Sequence, residues 1–232
     1  LSIVMKKVAL FGGSFNPPHM AHFEMAKAVH QALGVDEIWF LFTVNWQKDP
    51  RRYAPLAHRM AMGRILAAHY PDLPLVMSDI EEALGTHKTY EVLTGLKKKF
   101  PDHHFIWAMG ADCLADFHTW EHFDRIIEEY PIAVLGRPSY IDSANKSYTA
   151  LTYPHLKCSD PKELATAAKG WCFIKNDLQE ASSSNILRQL QQGRTRFDGP
   201  FQVVVDYILQ HGLYGLSQNV TAPQEKPEIR HE

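Results

Sequence analysis

Val8-Ala9-Leu10-Phe11-Gly12-Gly13-Ser14-Phe15-Asn16-Pro17-Pro18-His19-Met20-Ala21-His22 is the stretch that decides the fold of this chain. Val8 to Phe11 is a short run with no polar residue, as in a parallel strand buried on both faces, and Gly12-Gly13 breaks it. From Met20 to Leu33 the period changes. Met25, Val29 and Leu33 share one helical face, Lys27 and Gln31 lie off it, and Gly34 is a natural stop. Glu37-Ile38-Trp39-Phe40-Leu41-Phe42 reads as the next strand. Strand, glycine loop, helix and strand form a βαβ unit, which demands a parallel pair with a right-handed crossover.

The alternation runs on. Helices are expected over Leu56 to His69, Thr89 to Lys99, Trp120 to Glu129, Ser184 to Gln192 and Phe201 to His211. Strands are expected over Leu75 to Met77, Phe105 to Met109, Ile132 to Leu135 and Trp171 to Ile174. The fold class is therefore α/β, a doubly wound, mostly parallel Rossmann-like sheet with helices on both faces. Residues 139 to 170 are less regular and read as a loop-rich insertion. Residues 6–215 are expected to form one domain, and 216–232, which are polar, a disordered tail.

Bulk numbers narrow the classes. A net charge of -2 over 232 residues gives no electrostatic footprint for nucleic acid or an anionic membrane. No apolar run reaches the ~18 residues of a membrane span, and Val8 to Phe11 is too short for a signal-peptide core. The three cysteines, Cys113, Cys158 and Cys172, are too scattered for a disulfide framework or a paired metal site. The expected setting is the cytoplasm, with neither nucleic acid nor membrane as partner. A homo-oligomer stays open.

The glycine loop sits at the carboxyl end of the first strand, where open α/β sheets bind ligands. Gly12 and Gly13 let backbone approach a phosphate, and the helix start that follows offers free N–H groups. His19 and His22, three apart, share a face of that first turn. An isolated glycine pair is most often a turn, and an isolated H-x-x-H is most often surface or core. The loop also lacks the G-K-[ST] of a P-loop and the third glycine of a dinucleotide fingerprint. As an ungapped string, however, Gly12-Gly13-Ser14-Phe15-Asn16-Pro17-Pro18-His19-Met20-Ala21-His22 resembles the G-G-[ST]-F-[DN]-P-[IPV]-H-x-G-H signature of the nucleotidyltransferase superfamily, with Ala21 in place of a glycine.

Further resemblances narrow the branch. Ser183-Ser184-Asn185-Ile186-Leu187-Arg188 is similar to the late S-S-T-x-[IL]-R phosphate motif, with Asn185 at the threonine. Met109-Gly110-Ala111-Asp112-Cys113-Leu114 and Phe117-His118-Thr119-Trp120 resemble the G-A-D-x-L-x-x-[FL]-x-x-W stretch of nicotinate-nucleotide adenylyltransferases. Arg137-Pro138-Ser139-Tyr140 resembles that group's R-P-G-Y. The match spans roughly residues 6 to 215.

What the resemblance implies is transfer of AMP from ATP to nicotinate mononucleotide, with Mg²⁺ accompanying the ATP and no protein metal ligands. His19, His22, Lys48 and Arg188 would be catalytic. Gly12, Gly13, Ser14, Phe15, Ser183 and Ser184 would hold ATP and its phosphates. Asn45, Thr89, Asp112, Trp120 and Arg137 would bind the pyridine nucleotide, with Trp120 against the cationic ring. Glu91 falls where this resemblance places a threonine near the ring substituent. Facing that pocket, its charge would oppose a nicotinate carboxylate and suit the amide. Alternatives are the same chemistry on nicotinamide mononucleotide or on another acceptor such as pantetheine phosphate, and a nucleotide-binding regulator without turnover.

Overall fold

Lys6–Gly13 runs as β1 through the middle of a sheet, and its side chains alternate between two cores. Val8 and Leu10 enter one, Ala9 and Phe11 the other. The structure is a computed structural model that describes residues 4–44, 49–177 and 182–217. The helix α1, Met20–Leu33, buries Phe23, Ala26, Val29 and Leu33, the apolar positions of one face, and Gly34 ends it in the left-handed region at φ 64°. β2, Glu37–Phe42, returns parallel to β1, with Phe11 opposite Phe40 and Gly13 opposite Phe42.

Helix α2 (Leu56–Ala67) leads to β3 (Leu75–Ser78), a short helix α3 (Ile80–Leu84) and α4 (Thr89–Lys99). β4 (His103–Gly110), α5 (Ala111–Asp116), α6 (Phe123–Glu129) and β5 (Pro131–Gly136) come next. Then follow α7 (Pro138–Ala144), α8 (Tyr148–Thr152), β6 (Gly170–Lys175), α9 (Ser183–Gln191) and α10 (Gln202–Gln210). The six strands pair in parallel in the order β3-β2-β1-β4-β5-β6. The chain therefore winds outward from β1 and starts again at β4, leaving a crevice between their carboxyl ends. One face is covered by α1, α2, α9 and α10, the other by α3 to α6. No helix among the described residues is long and apolar enough to cross a membrane.

Two expectations need correction, and one short element was not foreseen. Residues 139 to 170 are not loop-rich: they hold α7, α8 and 3-10 turns at Pro154–Leu156 and Pro161–Ala165. Pro138 takes the first helical position of α7, where its missing N–H costs nothing. Ser147 caps α8 by accepting from the Ala150 N–H at 3.2 Å. The helix expected from Trp120 begins at Phe123, because His122 is left-handed (φ 59°) and Trp120 is extended. And α3, only five residues long, is too short to show a period. The tail expected from residue 216 lies outside the described residues from 218 onward.

Candidate active site

Gly12 and Gly13 are the last residues of β1 rather than a loop after it. A Cβ at Gly12 would stand 2.7 Å from the Trp107 ring, so glycine is what lets β1 and the β4 indole close the floor of the crevice. Phe15 then turns the chain at φ 46°, an uncommon conformation for a side-chain-bearing residue. Its ring is held between Phe40, Phe42 and His22, with centroids 4.7 to 4.8 Å away. Packing thus sustains a backbone direction that local preference disfavours.

Asn16 anchors the loop from behind. Its Oδ1 accepts from the Ala54 N–H (3.1 Å) and the Tyr214 hydroxyl (2.7 Å), and its Nδ2 donates to the Arg52 carbonyl (2.6 Å). Arg59 on α2 is 1 % exposed and does similar work. It donates to the carbonyls of Ser14 (2.7 Å), Thr43 (2.9 Å) and Ala54 (2.8 Å). One buried guanidinium therefore fixes the ends of β1 and β2 together, using the planar fork that lysine lacks.

His19 is the residue preceding α1, and His22 lies in its first turn. Their rings are 3.9 Å apart at 31°. His22 Nδ1 accepts from the His19 backbone N–H at 3.1 Å. Accepting there leaves the proton on Nε2, so a neutral His22 is a donor through Nε2. Burial holds His19 down to about pKa 4, and burial plus the His19 charge holds His22 well below its ordinary value. Both imidazoles are neutral at pH 7, and His19 Nδ1 has no partner among the described residues.

Gly12, Gly13, Phe15, His22, Asp112 and Trp120 line one cleft of about 270 Å³, with Trp107 and Met109 in its wall. Asp112 is exposed in the first turn of α5, its Oδ1 pressed so close to Gly110 that a Cβ there would lie 2.4 Å away. Trp120 is half-buried, edge-on to Phe117 and Trp107 at 5.1 and 6.5 Å. It also walls a second pocket with His87, Lys88, Thr89 and Glu121. Thr89 is the first residue of α4, a helix with no side-chain cap, so its first N–H groups face outward unpaired by the helix. Glu91 Oε2 accepts from the Thr86 hydroxyl at 2.5 Å.

Ser184 and Arg188 line a third, open depression with Ser182 and Asn185 at the start of α9. Ser182 caps the helix, accepting from the Asn185 N–H at 3.1 Å. Arg188 is exposed and donates to Asn185 Oδ1 at 2.5 Å. The Ser183 hydroxyl donates to the Pro17 carbonyl at 2.9 Å and ties α9 to the histidine loop. Arg137 follows β5 as the residue preceding α7, half-buried on the same edge of the sheet. Asn45 and Lys48 lie outside the described residues. Asn16 and Arg59 were not singled out by the sequence reading. The only signal for Arg59 is a charge on the buried side of α2, among Met60, Met62 and Leu66.

The chain matches the cytidylyltransferase-like family model over residues 10–190. It is 36% identical over 183 residues to a probable nicotinate-nucleotide adenylyltransferase of Cereibacter sphaeroides, covering 77% of this chain and 95% of that protein. A protein of the same description from Methylorubrum extorquens is 35% identical over 186 residues, covering 78% and 98%. Among solved structures, the nicotinic acid mononucleotide adenylyltransferase of Plasmodium falciparum complexed with APC superposes with a TM-score of 0.65 at 19% identity, covering 91% and 98%. A putative nicotinate-nucleotide adenylyltransferase from Vibrio parahaemolyticus does so with a TM-score of 0.56 at 16% identity, covering 87% and 99%, so these two bear on the fold. With its histidine loop, its six-stranded order and relatives matched over nearly their whole length, the chain belongs to the cytidylyltransferase-like family, in the group of nicotinate-nucleotide adenylyltransferases.

Proposed function

We propose that this protein transfers AMP from ATP to the 5′-phosphate of nicotinate mononucleotide, forming deamido-NAD for NAD biosynthesis and releasing pyrophosphate. The observation that carries the reading is a histidine loop tied through Pro17 to the start of α9, beside a cleft that runs to Trp120. The first part suits a triphosphate, the second a pyridine nucleoside. The names of the curated relatives support the same acceptor.

In this reading an oxygen of the acceptor phosphate attacks the α-phosphorus in line. The bond from that phosphorus to the β-phosphate oxygen breaks, and its electron pair leaves on pyrophosphate. No covalent enzyme intermediate is required, so catalysis consists of positioning and charge stabilisation. His22 donates Nε2–H to a phosphate oxygen, its orientation held by the Nδ1 bond to the His19 backbone. Arg188 and Lys48 supply positive charge, Asp112 accepts from a ribose hydroxyl, and Trp120 offers its indole face to the pyridinium ring. Mg²⁺ bound with ATP would supply further neutralisation of the phosphate charge, beside Arg188 and Lys48. Among the described residues no three His, Cys, Asp or Glu side chains converge to hold an ion. A cytoplasmic setting goes with this chemistry.

The test is pyrophosphate release from ATP and Mg²⁺ with nicotinate and nicotinamide mononucleotides in parallel. Release with the acid at the higher kcat/KM is expected. No release with either would overturn the reading.

A further inference from the structure

Two charged side chains at the pocket beside Trp120 take no part in the transfer chemistry. Lys88 precedes α4, and its Nζ lies 2.7 Å from Glu121 Oε2. Both side chains stay about half exposed, and both line the pocket with His87, Thr89 and Trp120. Their hydrogen bond and mutual attraction raise the Lys88 pKa and lower that of Glu121, so both are ionised at neutral pH.

Glu121 follows Trp120 directly in the chain. Without a partner, its negative charge would stand beside any ring stacked on the indole. A pyridine carboxylate and carboxamide have nearly the same shape, so a pocket separates them by charge and hydrogen bonding rather than by size. Among the described residues, other ionisable side chains close by are His87, which also lines the pocket, Glu91, already bonded to Thr86, and His122, whose Nε2 is 3.8 Å from Glu121 Oε1. Lys88 is the only lysine or arginine among the described residues that line the pocket.

We propose that the Lys88–Glu121 ion pair determines preference for the acid: Lys88 cancels the Glu121 charge beside the indole, so the substrate carboxylate meets no uncompensated negative charge from it. This rests on the pyridine-nucleotide reading above and adds the residues that discriminate within it. Lys88 acts here as a specificity residue, outside the reacting centre. Two like charges a few ångströms apart at a half-exposed site repel by enough to change affinity about tenfold, less at high salt.

The experiment compares kcat/KM for nicotinate and nicotinamide mononucleotides in the wild type, Lys88→Met, Lys88→Arg, and Lys88→Met with Glu121→Gln. The KM for ATP in the same assays reports an intact fold. Lys88→Met is expected to lower the acid-to-amide ratio about tenfold, mainly through KM for the acid. Lys88→Arg should keep the ratio, and adding Glu121→Gln should restore it to within about threefold. A Lys88→Met ratio equal to that of the wild type overturns the proposal, as does a double variant as low as the single. Wild-type preference for the amide overturns it too, while leaving the transfer chemistry standing. Absence of pyrophosphate release with either nucleotide would instead sink the functional reading itself.

Discussion

The Ser183 hydroxyl donates to the carbonyl of Pro17 at 2.9 Å, joining two segments 166 residues apart, the histidine loop and the start of α9. Each segment alone is a common local motif. Joined, the start of α9 and the histidine loop are held at a fixed distance from each other.

Ser183→Ala should therefore act through geometry. We expect a loss of about 1 kcal/mol in stability and a several-fold rise in the KM for ATP, with a smaller effect on kcat. Urea unfolding and steady-state kinetics on the same preparation decide it. A drop in kcat of ~10²-fold at unchanged stability would instead mean that Ser183 touches the phosphates.

For His22 the expectation is catalytic. His22→Ala should lower kcat by ~10²–10³-fold, the usual cost of removing one charge-stabilising donor, with the far-UV spectrum and urea midpoint near wild type. A change of less than about fivefold in kcat would contradict the donor role, because removing one such donor ordinarily costs far more.

Arg59 should be the costliest single truncation. Arg59→Met keeps much of the volume but leaves the carbonyls of Ser14, Thr43 and Ala54 without their donor. At ~1–3 kcal/mol for each unsatisfied buried group, partly relieved by water, a total loss of roughly 3–5 kcal/mol is expected. Arg59→Lys should recover part of it. Chemical denaturation of both variants provides the check, and a Met variant within about 1 kcal/mol of wild type would remove the brace assigned to Arg59.

Glu81 on α3 is 5 % exposed, and its Oε2 has no partner among the described residues. Burial lifts its pKa from 4.5 to about 7. Between those values the unfolded chain releases a proton that the folded protein keeps, so this group's contribution to stability falls as pH rises, by roughly 3 kcal/mol in all. His19 runs the other way, because its pKa drops from 6.5 to about 4 on folding and its contribution is lost as pH falls through that window. The two slopes oppose each other between about pH 4.5 and 6.5. Glu81→Gln removes one of them, so its stability should climb with pH over that range and exceed wild type at pH 8. Parallel profiles in urea melts across pH would count against a proton held on Glu81.

Much of the fold was legible because the deciding signals are local. α1, β2 and α4 occupy the stretches that their apolar spacing and flanking glycine or proline predict. What escaped depends on distant partners or short segments. The start of α6 was misjudged because nothing in the composition of Trp120 to Phe123 announces a left-handed His122. α8 relies on a serine cap within a segment rich in turn-forming residues. Within the site, Gly12, Gly13, His22, Asp112 and Trp120 do come together, as a contiguous motif and a strand end allow. Glu91 was matched by register alone to a position near the ring substituent, and the sequence could not show that its carboxylate bonds to Thr86. Arg59 was invisible because a lone arginine in a helix reads as solvated until three carbonyls from other segments converge on it.

The bond from Tyr214 to Asn16 spans 198 residues and gives the order of synthesis a consequence. The ribosome delivers the histidine loop long before Tyr214, one of the residues that hold it. We predict that nascent chains that have not yet reached Tyr214 form much of the sheet yet hold the loop loosely, so ATP binds tightly only once the Leu213–Gly215 turn has emerged and docked. A chain ending at residue 212 should then keep strand and helix signals while binding ATP at least tenfold more weakly, about 1.4 kcal/mol. Wild-type affinity in that shortened chain would show that the loop sets itself. On this account the Leu213–Gly215 turn commits each new molecule to its substrate, a checkpoint written into the direction of translation.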